Sequence, residues 1–288
     1  MRRLVVIASA GIVLMGCLAV AAGWILARPV QRPIGPAPID LDARPVVFES
    51  TSGAEVHAWW CPVEGAAGSV VLLPGVRANR LSMVERARFL RQSGFSVLLL
   101  DLQGTGETVG REITFGWRER HDVTAAVGFV RRQTRGGRVA VLGSSLGGAA
   151  ALLAVPPLQV DAAVLEAVYP SIERATRNRL ILRFGRFGRI AAPLLLAQLR
   201  PRIGVGASQL RPIDHIGRLR CPVFILSGAE DRHTTPADTM LLYRAAHSPK
   251  QLWIIAGMAH VDLHHAAAQK YEQRVSEFLH RAFSAGTA

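Results

Sequence analysis

From residue 45 onward, short apolar runs alternate with stretches in which apolar residues recur every three or four positions. Runs of four to eight apolar residues bounded by Gly, Pro or Asp have the size of buried strands, and the intervening pattern is that of helices with one apolar face. The runs are "PVVFES", "EVHAWWCP", "SVVLLPG", "SVLLLD", the stretch Arg138–Leu142, "VDAAVLEAVYP", "CPVFILSG" and "KQLWIIAG". The first two meet across "TSG", which predicts an antiparallel hairpin. Helices are predicted at Ser82–Gln92, Trp117–Gln133, Ala149–Ala154, Pro236–Ala246 and His264–Phe283. This alternation predicts an α/β fold, a mostly parallel sheet of eight strands with helices on both faces. Residues 171–212 break the rhythm and are predicted to form a helical cap, which carries eight arginines before residue 203. Its apolar side is expected to cover a pocket while the arginines face water, the alternative being a second contact with a membrane.

Upstream lies a different pattern. Leu4–Ala27 is 24 residues without a charge, long enough to cross a bilayer as a tilted helix. Ala19 and Ala21 offer a signal-peptidase site, but the apolar run continues through Trp24, Ile25 and Leu26, which predicts a retained transmembrane anchor. Residues 28–45 contain five prolines, so 28–44 are expected to be a stiff linker that lifts a domain starting near Pro45 off the membrane. The expected division is therefore anchor 1–27, linker 28–44 and domain 45–288. Arg2 and Arg3 oppose Arg28 and Arg32 in setting orientation. A short basic tail leading into the apolar run resembles a secretion signal, so the N terminus is expected inside and the domain on the periplasmic or extracellular side. A chain cleaved at Ala21 would instead be secreted.

Composition narrows the partners. Half of the residues are apolar and only 6% aromatic, so the core is expected to consist of Ala, Val and Leu. Lys and Arg number 34 against 21 Asp and Glu, a formal charge of +13. Nearly all of it is arginine, Lys250 and Lys270 being the only lysines. The basic residues are scattered, without aromatic interleaving or zinc-finger spacing, which argues against nucleic acid as a partner. An anionic membrane surface suits the same charge. Cys17, Cys61 and Cys221 have no metal spacing, and Cys61 and Cys221 belong to strands expected near opposite edges of the sheet, too far apart for a disulfide.

Candidate chemistry centres on "GGRVAVLGSSLGGAAALLA", residues 136–154. A dinucleotide-binding GxGxxG turn would need glycine at position 145, which is Ser145. The GxSxG template fits at Gly143, Ser145 and Gly147, between a buried strand and a helix of small residues. Both glycines are expected because a strained turn leaves no room for neighbouring side chains. A serine hydroxyl becomes a nucleophile only when a base takes its proton, and the base works best with a carboxylate fixing its tautomer. In a parallel sheet these groups come from loops at the carboxyl ends of strands. Asp231 follows "CPVFILSG" and His260 follows "KQLWIIAG", the order Ser–Asp–His. Glu166, ending the preceding strand, is the other candidate acid. His264 stands four residues after His260, but a zinc-protease helix needs glutamate where the chain has Val261. Glu119 and Asp122 are assigned no chemistry and are expected to be solvated or to tie loops down.

Taken together, "LLPGV", "DLQGTGET", "GSSLGG", "RPIDHIGRLRCPVFILSGAEDRHTTP" and "GMAHVDL" resemble the α/β-hydrolase superfamily over residues 45–283, nearest to bacterial membrane-tethered or secreted serine hydrolases with a helical cap. The resemblance implies a serine hydrolase that cleaves an ester, thioester or amide through an acyl-enzyme, most simply a carboxylesterase acting on a small-molecule or acyl substrate without a cofactor. Ser145 would be the nucleophile, His260 the base and Asp231 its orienting acid. The backbone N–H groups of Leu146 and Val76 would hold the oxyanion. The chain departs from the family where His-Gly is common, having Pro74 and Gly75, and where Gln103, Thr105 and Thr108 replace a frequent Arg, His and Ser. A non-catalytic binding module of this fold would be expected to lack one of the three residues, and none is missing.

Overall fold

The computed structural model describes residues 16–17 and 19–285. Ten strands are present among them: β1 Val30–Gln31, β2 Arg44–Glu49, β3 Glu55–Cys61, β4 Gly68–Leu73, β5 Phe95–Leu100, β6 Thr105–Gly106, β7 Val139–Ser144, β8 Ala162–Glu166, β9 Val223–Gly228 and β10 Lys250–Ile255. Eight of them, those predicted from the apolar runs, form one sheet in the order β10-β9-β8-β7-β4-β5-β3-β2. β2 and β3 are antiparallel to each other and β3 to β5, while β4, β5, β7, β8, β9 and β10 run parallel. β5, β8 and β9 are buried on both faces, hence their unbroken apolar sequences. Successive residues feed opposite faces: Leu73 and Val141 join one core cluster, Leu72 and Leu142 the other.

Helices Val84–Gln92, Glu119–Gln133, Leu146–Leu152, Pro236–Ala245 and Ala268–Ser284 cover the sheet, close to the predicted positions. Two differ. The predicted helix His264–Phe283 is split into Leu263–Ala266 and Ala268–Ser284, because Asp262 caps a separate short turn by accepting from the N–H groups of His264 and His265. The helix after β7 starts at Leu146 rather than Ala149, since Gly147 and Gly148, poor helix formers, are held there by tertiary contact. Cys61 and Cys221 are both free and buried. β8, β7, β4 and β5 lie between β3, which ends at Cys61, and β9, which Cys221 precedes.

The insert forms helices Ile172–Phe184, Gly188–Leu196 and Leu199–Ile203. It does not segregate as expected. Arg174, Arg177, Arg179 and Arg183 fall on different sides of a helix with 3.6 residues per turn. Arg179 turns inward over the sheet while Phe187, Ile190 and Leu194 stay exposed.

Among the described residues no helix is long and apolar enough to cross a membrane. Most of the expected span Leu4–Ala27 lies outside them, but residues 19–27 are helical and rest against the cap. The segment expected to lift the domain away is instead strapped to it. β1 pairs with β6 in the turn "DLQGTGET", with Val30 N–H donating to Gly104 O at 2.7 Å and Arg32 N–H to Gly106 O at 2.8 Å. Leu41 is fully buried, and Asp40 pairs with Arg88. The prolines remove only some donors, leaving alternate N–H groups to bond, and Ile34, Ala37 and Leu41 supply an apolar side that packs against the core.

Glu119 and Asp122 are buried rather than solvated, and both tie loops down. Glu119 accepts from the Thr114 and Gly116 N–H groups, Asp122 from the Gln103 N–H at 2.8 Å. Burial pushes the Asp122 carboxyl up to about 7. The folded value lies above that of an unfolded aspartate, about 3.9, so this group's stabilising contribution is complete below that value and is lost as pH rises through 7. The thermal midpoint is therefore expected to fall between about pH 4 and 7, and Asp122→Asn to flatten that fall. Melting curves across this range check it, and an unchanged slope in the variant would show the carboxylate to be ionised throughout.

Candidate functional site

β7 runs through the middle of the sheet and stops at Ser144. Ser145 then adopts φ 46° and ψ −105°, a conformation costly for a residue with a Cβ, and Leu146 opens the next helix immediately. The reversal is tight: a Cβ on Gly143 would lie 2.5 Å from the Gly148 nitrogen, and one on Gly147 would lie 2.5 Å from the Leu73 carbonyl oxygen. Only glycine fits at either position. The Ser145 N–H donates to Glu166 O at 2.8 Å, fastening the turn to β8. Its Oγ is buried and makes no hydrogen bond. Because Leu146 is the first helical residue, its N–H lacks an intrahelical acceptor. Val76 follows β4 in the loop beside the turn, where a Cβ on Gly75 would lie 3.9 Å from that of Ser145.

β9 and β10 end at the same edge as β7. A Cβ on Gly228 would lie 2.1 Å from the Met258 carbonyl oxygen, so glycine lets the loops after the two strands touch. Asp231, 2% exposed, stands in the first loop and His260 in the second. Asp231 Oδ1 accepts from the N–H groups of His233 and Thr234, both at 2.8 Å, and Oδ2 lies 2.7 Å from His260 Nδ1. Both carboxylate oxygens are thus committed and their roles cannot exchange. The His233 ring leans on that of His260 with centroids 4.9 Å apart, and burial, with Arg179 adding to it, holds the His233 pKa below its usual value.

Glu166, the other candidate acid, is engaged elsewhere: Arg86 donates to it from Nε at 3.0 Å and Nη2 at 2.8 Å, and the Tyr271 hydroxyl also donates to it. His264 is likewise turned away from His260, its Nε2 lying 2.7 Å from Glu272 Oε1 and its ring stacked on Phe89. In "DLQGTGET", Asp101 accepts from the Arg80 and Glu107 N–H groups, which hold the turn.

Ser145, Leu146 and Val76 border a cavity of about 560 Å³. Its roof is the cap, with Ile172, Leu180 and Leu196 among the lining residues, and one wall is Ala22–Ala27 of the N-terminal helix. Arg77, next to Val76, donates to Ile25 O at 3.0 Å and so joins this wall to the loop beside the Ser145 turn. Gln198 and Arg202 of the cap donate to Ala19 O and Val20 O at 2.8 and 2.9 Å. Neither the wall nor the inward-facing arginines were foreseen from the sequence. The N-terminal run shows only its apolarity, and nothing distinguishes one cap arginine from the next.

Residues 64–212 match the family described as Serine aminopeptidase, S33. Protein Rv2307c of Mycobacterium tuberculosis is 30% identical over 242 residues, covering 81% of this chain and 78% of the relative. The α/β hydrolase domain-containing protein WAV2 of Arabidopsis thaliana is 28% identical over 267 residues, 86% of this chain and 82% of its own. Among solved structures, the Pyrococcus furiosus esterase Pf2001 superposes with a TM-score of 0.73 at 18% identity, covering 89% of this chain and 98% of the esterase. That likeness carries the fold: the same mostly parallel sheet, with the carboxyl ends of its strands gathered at one edge.

Proposed function

Because the chain belongs to the S33 serine aminopeptidase family of α/β hydrolases, we propose that it is a serine hydrolase that cleaves carboxylic esters through an acyl-enzyme. The observation that carries this reading is the Asp231–His260 pair, 2.7 Å between Oδ2 and Nδ1, standing at the sheet edge where the strained turn presents Ser145 to the cavity. With Nδ1 directed at the carboxylate, Nε2 is the imidazole nitrogen left to accept the Ser145 proton. The hydroxyl makes no hydrogen bond in the resting arrangement, and its contact with Nε2 forms as substrate fills the cavity. Oγ attacks the carbonyl carbon, and the N–H groups of Leu146 and Val76 receive the oxyanion. His260 then returns the proton to the departing alcohol, and water releases the acyl group by the same steps in reverse order.

An ester suits the cavity better than the free amino terminus of a peptide. Recognition of an ammonium group calls for a carboxylate, and the described lining residues include no Asp or Glu. The test is labelling with a small fluorophosphonate followed by peptide mapping. The adduct is expected on Ser145, and labelling of any other serine, or none, overturns the assignment.

On the same reading the apolar run that begins at Leu4 anchors the protein in the cytoplasmic membrane with its N terminus inside and the catalytic domain outside, held close to the bilayer because residues 19–27 pack on the cap rather than crossing it. Full-length protein is expected to remain in the membrane fraction after a carbonate wash and to be cut by protease in intact spheroplasts. Solubility after the wash overturns the anchor, and protection until lysis places the domain inside.

A further inference from the structure

Among the described residues, the arginines turned toward the interior have partners. Arg80 pairs with Asp101 and Glu107, and Arg86 with Glu166 and Asp262. Arg120 lies over the Trp117 ring at 3.6 Å. In the cap, Arg174 pairs with Asp238 and Arg211 with Glu173 and Asp214. Arg179 is the exception. It is partly buried and lines the cavity that holds Ser145, yet its one hydrogen bond to a described group goes back to the Ala175 carbonyl of its own helix, at 3.2 Å. No carboxylate among the described residues pairs with it.

The surroundings compound the imbalance. Three more arginines, Arg77, Arg183 and Arg202, line the same cavity, whose other walls are largely apolar. Arg77 and Arg202 are bonded to backbone carbonyls of the N-terminal segment, and Arg183 is exposed. Arg179 lines the cavity with Ser145 and Tyr169 and feels the charge of Tyr169 and of Asp231. Burial holds its pKa below the usual guanidinium value. A desolvated cation is tolerated when a counter-charge arrives, and a guanidinium fork matches a carboxylate or phosphate geometrically.

We propose that Arg179 is the recognition group for an anion carried by the substrate, so that the enzyme acts on amphiphilic esters with an apolar chain and a carboxylate or phosphate a few bonds from the scissile carbonyl. This rests on the hydrolase reading above. The apolar part lies between the cap and the residue 22–27 wall, while the anion meets Arg179 before attack. Neutral esters leave the guanidinium uncompensated.

Two matched pairs of esters test the inference on the full chain in detergent micelles. 1-Decanoylglycerol 3-phosphate against 1-decanoylglycerol places the anion on the alcohol side. 4-Nitrophenyl hemisuccinate against 4-nitrophenyl butyrate places a carboxylate on the acyl side. In at least one pair the anionic ester is expected to have the higher kcat/KM, by about 10- to 100-fold, expressed mainly in KM. Arg179→Gln is expected to bring that ratio toward one, and Arg179→Lys, which keeps the charge, to retain part of it. No preference in either pair, with Ser145 still labelled by fluorophosphonate, overturns this inference and leaves the hydrolase reading standing. A preference that survives Arg179→Gln also overturns it. Failure to hydrolyse any of the four esters, together with no label on Ser145, removes the hydrolase reading and this inference with it.

Discussion

Replacement of Ser145 by alanine is expected to lower kcat on an activated ester by a factor on the order of 10⁴ to 10⁶ while leaving the melting temperature close to that of the parent. The size follows from what remains. Without Oγ no acyl-enzyme forms, and only the oxyanion donors and the cavity itself still favour attack by water. The fold should be indifferent, because the lost hydroxyl makes no hydrogen bond and the strain at φ 46° belongs to the backbone, which alanine shares. Steady-state kinetics beside a thermal melt distinguish this from misfolding. Retained turnover in a folded Ser145→Ala protein would move the nucleophile elsewhere.

Asp231→Asn is expected to cost roughly 10⁴ in kcat, for a reason specific to this loop. The N–H groups of His233 and Thr234 both require an acceptor, and both bond Oδ1. An asparagine must therefore turn its carbonyl oxygen toward them, which leaves its NH₂ group facing His260 Nδ1. Nδ1 then becomes the acceptor, the ring proton moves to Nε2, and the nitrogen needed to take the Ser145 proton is already occupied. Glu166→Gln should leave the chemistry in place and weaken packing instead, since that carboxylate is held by Arg86 and Tyr271. A full rate in Asp231→Asn with collapse in Glu166→Gln would transfer the acid to β8.

How far the sequence spoke for itself differs between parts of the molecule. β4, β5, β8 and β9 were legible because each is a nearly continuous apolar run, as burial on two faces demands, while the edge strands β2 and β10 showed as shorter apolar runs between turn residues. The Ser145 turn was legible because sterics restrict its flanks to glycine. Asp231 and His260 could be placed only through strand order, since an acid and a histidine in loops carry no pattern of their own. The pairing of β1 with β6 involves two residues on each side, too few to show periodicity. Residues 28–44 looked like a free tether because their prolines were visible, whereas the Ile34, Ala37 and Leu41 side that holds them to the domain lies in a segment that forms no α-helix to announce it. The buried Glu119 and Asp122 read as surface charges on a helix because their compensation comes from loop backbone, that of Thr114 and Gly116 just ahead of the helix for Glu119 and that of Gln103 for Asp122.

The N-terminal wall has a consequence for how this protein can change over evolutionary time. The residues from Ala19 to Ala27 would ordinarily answer only to the machinery that delivers a chain to its destination, a filter that accepts almost any apolar sequence. Here Ala27 O accepts from the Ile113 N–H, Ile25 O from Arg77, and Ala22 to Ala27 border the cavity. If the segment is the anchor proposed above, a drift that is silent for delivery alters the shape of the cavity beside Ser145, and an adaptation of that shape must stay within what delivery accepts. On that proposal, address and cavity shape are inherited together. A domain excised at residue 40 would lack that boundary as well as the strap, and any preference among esters measured on it would be set by a cavity of different shape from that of the whole chain.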